Sequence, residues 1–142
     1  MIPMEDWPDQ AQDDTNRMME YVGPYAQEQT ARDGFLVPCG VGVSQDGALE
    51  PFIVDSNGFD SIEAAYQFML NAVSKNEAGW RAVCLASVVT DETHDDAVRF
   101  IVEHVGGLAC GGVMGFRRRR RTVTFDELIW MPIEPTLWSH PV

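Results

Sequence analysis

The chain is poor in positive charge. Ten lysine and arginine residues face 22 aspartates and glutamates, for a formal charge of −12. A field of that sign repels nucleic acid and anionic membranes at long range, so neither is an expected partner. Long apolar runs are missing too. The longest, Ala82 to Val89, is interrupted by Ser87 and is far too short to span a bilayer. The first residues, Met1 to Asp9, hold neither a basic segment nor an apolar one, so no secretory signal is expected and a cytoplasmic location is. Cysteine is scarce. Cys39, Cys84 and Cys110 are odd in number, lie far apart in apolar stretches and form no C-x-x-C. Buried reduced thiols are expected, rather than a disulfide framework or a metal site. The catalytic motifs G-x-S-x-G, H-E-x-x-H and the P-loop are all absent. Gly106, Gly107, Gly111, Gly112 and Gly115 punctuate strands and do not lead into a helix, so they are not a phosphate loop.

What the chain does contain is enough for one core. It has 142 residues, 45% of them apolar and 10% aromatic, which fits a single globular domain. Residues 1–13 read as a flexible acidic arm carrying Trp7, residues 14–131 as the domain, and residues 132–142 as a tail that packs through Leu137 and Trp138. A helix is expected from about Asp14 to Asp33-Gly34, with a kink or break at Gly23-Pro24. Phe35 to Val43 reads as a strand with Cys39, Val41 and Val43 on one face and the small residues Gly40 and Gly42 on the other. Pro38 cannot donate to a ladder and calls for an edge or a bulge. Gln45-Asp46-Gly47 turns the chain into a second strand, Ala48 to Val54. Asp60 and Glu63 have capping-box spacing before a helix striped by Ile62, Tyr66, Met69, Leu70 and Val73. Three strands follow: Trp80 to Thr90, Val98 to His104, and Leu108 to about Val123. Thr124 to Glu127 has capping spacing again, so the segment after it is either a short helix or another strand. The sum is an α+β domain: an antiparallel sheet of about five strands, order α-β-β-α-β-β-β, with helices on one face.

Half of the positive charge stands in five consecutive residues, Arg117, Arg118, Arg119, Arg120 and Arg121. Side chains alternate along a strand, so neither face of this run can be buried without partners. An exposed ribbon, a hairpin tip or a protected sheet edge is the structural reading. The functional readings are contact with an acidic segment, on this chain, a second copy or another protein, and binding of phosphate, another small anion or nucleic acid, the last opposed by the charge of the rest of the chain. Guanidinium forks suit phosphate, but the run has no interleaved aromatic residue except the flanking Phe116.

The element order, together with Gly34-Phe35-Leu36-Val37-Pro38-Cys39-Gly40-Val41-Gly42-Val43 leading into Asp46-Gly47, resembles the roadblock/profilin-like class of small domains. That resemblance implies homodimers and protein-binding scaffolds rather than catalysis. Phe35 to Gly40 and Ile101-Val102-Glu103-His104 are also similar to small prokaryotic proteins with a Phe-Leu-Pro-Phe-Gly-like first strand and a late Leu-Glu-His strand. This second resemblance carries no activity to transfer.

Other candidate chemistry is thin. Asp91, Glu92, His94, Asp95 and Asp96 offer oxygen ligands but lack the spacing of a calcium loop. His104 reads as a structural or surface histidine; the catalytic alternative is a hydrolase that pairs it with Cys84 or Cys110. Tyr66, Met69, Trp80, Val83 and Leu85 are either core or, if their strand lies at the sheet edge, a homodimer face. The expectation is a non-catalytic protein–protein interaction module that needs no metal or cofactor: a small acidic adaptor, chaperone-like or immunity-type protein. A small-anion-sensing domain is the alternative.

Overall fold

The computed structural model describes residues 2–89 and 96–138. After a single 3₁₀ turn at Met4–Asp6 come α1 (Asp9–Asp33), β1 (Cys39–Val43) and β2 (Leu49–Ile53). A second 3₁₀ turn, α2 (Ile62–Lys75), β3 (Ala82–Val89), β4 (Asp96–His104) and β5 (Leu108–Arg119) follow, and β6 (Thr122–Phe125) and β7 (Ile129–Pro132) end the fold. The acidic segment Asp91 to Asp95, proposed above as an oxygen-ligand loop, lies outside the described residues.

All strand pairs are antiparallel, in the order β2-β1-β3-β4-β5-β6, with β7 also on β5. β4 occupies one edge of β5 along nearly its whole length, so β6 and β7 share the other edge. Between them Asp126, Glu127 and Leu128 oppose only Met114 and Gly115, which is a β-bulge. The capping spacing at Thr124 therefore does not start a helix. Phe125 packs beside Phe116, with ring centroids 6.0 Å apart, and cross-strand packing outweighs the local signal. The sheet has seven strands, not about five.

The helices cover both faces of the sheet, which corrects the one-sided arrangement expected from sequence. Met18, Val22 and Ala26 of α1 meet Val41, Cys84 and Phe100 on one face. Ala65, Met69 and Val73 of α2 meet Val83, Leu85 and Ile101 on the other, together with Leu137 of the tail. The reason is visible in β3, whose residues from Ala82 to Ala86 are all buried. A central strand apolar on both faces needs a cover on each. Every fully buried Val, Leu or Met here is stabilising by about 1.5–3 kcal/mol relative to exposure.

Two N-terminal expectations change. The arm is not loose: α1 starts at Asp9, and Trp7 is only 3% exposed. The Trp7 indole donates to the Ile2 carbonyl (3.0 Å) and meets the His104 ring edge-on at 5.2 Å, which pins the segment. Pro24 lies inside an unbroken α1. It sits on the exposed side, while Met18, Val22, Ala26 and Thr30 keep an i, i+4 stripe against the sheet on both sides of it. For α2 the cap is Ser61, not Asp60: the Ser61 hydroxyl accepts from the Ala64 N–H at 3.1 Å. Pro38 precedes β1, and its carbonyl accepts from the Val54 N–H at 3.0 Å.

Candidate functional site

The arginine run is the tip of a hairpin. β5 ends at Arg119, Arg120 and Arg121 make the turn, and Thr122 pairs back with Arg119. All five arginines are exposed, and none of the ion pairs among the described residues involves them. Arg120 adopts φ 55°, a left-handed conformation that Gly or Asn fills more easily in such a turn. Arg118 has a place of its own. A Cβ at Gly34 would overlap the Arg118 guanidinium, so that group lies against the αL residue that caps α1. There it faces the negative end of the helix dipole.

His104 sits at the opposite end of β4 from Asp96, packed beneath α1 and only 5% exposed. Its Nε2 lies 2.9 Å from Thr15 Oγ1, which is itself 2.8 Å from the Ala11 carbonyl oxygen. The hydroxyl has one hydrogen and gives it to the carbonyl, so it accepts from His104 Nε2–H. Burial pushes His104 down to about 4, against the opposing pull of the Asp14 carboxylate. The ring is therefore neutral near pH 7 and bonded to the fold. Next to it Asp14, 2% exposed, accepts from Arg81 Nε (2.8 Å) and Nη2 (2.9 Å). Arg81 Nη1 and Arg17 Nη2 also donate to the carbonyls of Gln45 and Gly47, at 3.1 and 2.7 Å. This network ties the β1–β2 turn to α1. It employs both arginines structurally.

Cys39, Cys84 and Cys110 are buried and free, and desolvation raises all three thiols, Cys39 and Cys110 to about 12. A thiol of that kind carries almost no thiolate at neutral pH. The recorded partners of His104 are Thr15 and Trp7. Among the described residues, no group of three or more His, Cys, Asp or Glu side chains is placed to hold a metal ion.

Of the dimer-face candidates, Met69, Val83 and Leu85 are at most 2% exposed and lie inside the chain's own α2–sheet core. β3 is central rather than an edge, so these three have no surface to offer a second copy. Tyr66 and Trp80 are half-buried at the margin of the same core.

Two features were not read from the sequence. Glu103 is 0% exposed, unusual for a carboxylate. Its carboxylate accepts three consecutive backbone N–H groups of the tail, from Thr136 (3.2 Å), Leu137 (3.0 Å) and Trp138 (2.6 Å). The second is an aromatic cleft between β2 and α2, of about 440 Å³. The sequence signal for it was Gly40 and Gly42, whose bare face of β1 receives the rings of Phe52 and Trp80.

Comparison of the chain with protein-family models, curated proteins and solved structures finds no match.

Proposed function

We propose that the protein is a non-catalytic binding module that presents the Arg117–Arg121 hairpin to an acidic surface of another protein. The observation that carries this reading is the tip itself: five exposed arginines in succession at the end of one hairpin, Arg118 laid against Gly34 and Arg120 held at φ 55°. Folding alone favours Gly or Asn there, and adjacent like charges repel. A local choice that opposes stability is the kind found at functional positions. The body of the chain supports a protein partner over a polyanion, because a formal charge of −12 repels nucleic acid except at the tip. A role as a cytoplasmic adaptor, chaperone-like or immunity-type protein belongs to this reading. A second copy of the chain is also an acidic surface, so homodimerisation is tested with it.

The test is retention of proteins from native lysate at low and moderate salt, on wild type and on a folded variant with Arg→Ala at all five positions. Support is a stoichiometric acidic partner held by wild type, weakened by salt and lost in the variant. Identical retained sets on both proteins overturn the reading. Sedimentation of each protein alone separates self-association from a foreign partner.

A further inference from the structure

The cleft between β2 and α2 has the build of a ligand site. Its volume, about 440 Å³, falls within the usual range for small-molecule pockets. Its walls are aromatic. Phe52 and Trp80 stack with centroids 5.3 Å apart and planes 12° from parallel, and Phe59 and Phe68 lie 5.2 Å apart. Trp80 is held on every side. Its backbone N–H and carbonyl are both bonded to the Asn76 amide at 2.9 Å, its indole N–H donates to Glu50 at 2.6 Å, and its ring lies where a Gly42 side chain would be. Phe68 and Ile53, at 54% and 59% exposure, form an apolar rim in contact with water. Charged groups among the described residues that line the cleft are Asp55 and Glu77, both acidic.

We infer that this cleft binds a small organic cation, an amine carried on an aromatic or alkyl body. The apolar body would fill the space between the stacked Phe52–Trp80 pair and the Phe59–Phe68 pair, and the ammonium would lie near Asp55 and Glu77, where both the carboxylates and the aromatic faces attract positive charge. The adjoining edge of β2 argues against an extended peptide as the occupant. Ala48 accepts from the Ser44 N–H (2.9 Å) and Val54 donates to Pro38 (3.0 Å), so even-numbered residues of β2 bond to β1. Leu49, Pro51 and Ile53 then face the free edge, and Pro51, with no N–H, interrupts any added ladder at its centre. The cation site is independent of the arginine hairpin, which lies at the other end of the strand order.

The probe is tryptamine, with indole-3-propionate as its anionic counterpart and indole as the neutral one. The readout is the four tryptophan indole N–H signals in a heteronuclear spectrum of the full chain. Saturable movement of the Trp80 signal, with Trp7 and Trp130 unmoved, and affinity at least about tenfold above either counterpart, supports the assignment. The variant Asp55→Asn/Glu77→Gln, exposed at both positions and expected to fold, should lose that preference while keeping weak indole binding. Equal binding of the three probes, no saturation in the millimolar range, movement of Trp7 or Trp130 instead, or a Trp80 signal that shifts with protein concentration alone would each overturn it. The last outcome would assign the cleft to a second copy of the chain.

Discussion

The carboxylate of Glu103 on β4 lies 2.6 Å from the backbone N–H of Trp138 in the tail. A fully buried charge is tolerated only with strong hydrogen bonds, and here three successive amides supply them. The indole of Trp138 then donates to the Val73 carbonyl of α2 at 2.9 Å. One carboxylate thus fastens the tail across the sheet and against a helix.

Glu103→Ala should remove those acceptors and leave the tail amides without partners. The expected loss is about 2–4 kcal/mol, read as a shift in denaturation midpoint. Hydrogen exchange at Thr136, Leu137 and Trp138 should accelerate at the same time. Unchanged exchange at those three amides would show that the clamp does not hold the tail.

Acidification should unfold the protein through His104. Its folded pKa, about 4, lies below the ordinary value of 6.5, so the unfolded chain binds the proton more readily between those limits. Stability contributed by the neutral ring is complete above about pH 6.5 and falls as pH drops toward 4, by roughly 3 kcal/mol in all. Urea denaturation at a series of pH values measures it. A His104→Gln variant should show a shallower dependence in that window; an unaltered slope would place the acid sensitivity elsewhere.

Arg120→Gly should stabilise the hairpin, by about 0.5–1 kcal/mol, because glycine adopts φ 55° without strain. Thermal melting of the variant checks it. A lower melting temperature would mean that the guanidinium makes a contact that outweighs the backbone strain.

Thr30 is fully buried, and its hydroxyl has no hydrogen-bond partner among the described residues. Thr30→Val keeps the shape and removes the unpaired group, so stability should rise by about 1 kcal/mol. A loss of similar size would reveal a buried water or another partner for the hydroxyl.

The three thiols should resist alkylation in the folded protein and react together once it unfolds. Iodoacetamide labelling with and without denaturant, followed by mass spectrometry, counts them. Fast labelling of Cys84 or Cys110 at neutral pH in the native state would favour a cysteine-based reaction.

Local pattern determined β1 to β4, the start of β5 and the existence of both helices, because period-2 alternation and the i, i+4 stripe are written in consecutive residues. It ran β5 through the turn at Arg120 and Arg121 and did not separate β6 and β7. The exposure of the arginines followed from the same alternation, since five charges in a row leave no face to bury. What the sequence could not decide were the contacts between distant residues. The capping spacings at Asp60 and Thr124 are local signals, and packing of Phe125 on Phe116 overrode the second. Gly23-Pro24 looked like a break, but the sheet holds α1 on both sides of it. The burial of Glu103 depends on the tail, more than thirty residues later, which brings three amides to it. The cleft exists only because Gly40 and Gly42 of β1 face α2 in the folded sheet and leave room for Phe52 and Trp80. Long-range pairing of buried polar groups and shared cavities have no period along the chain, so only the tertiary structure decided them.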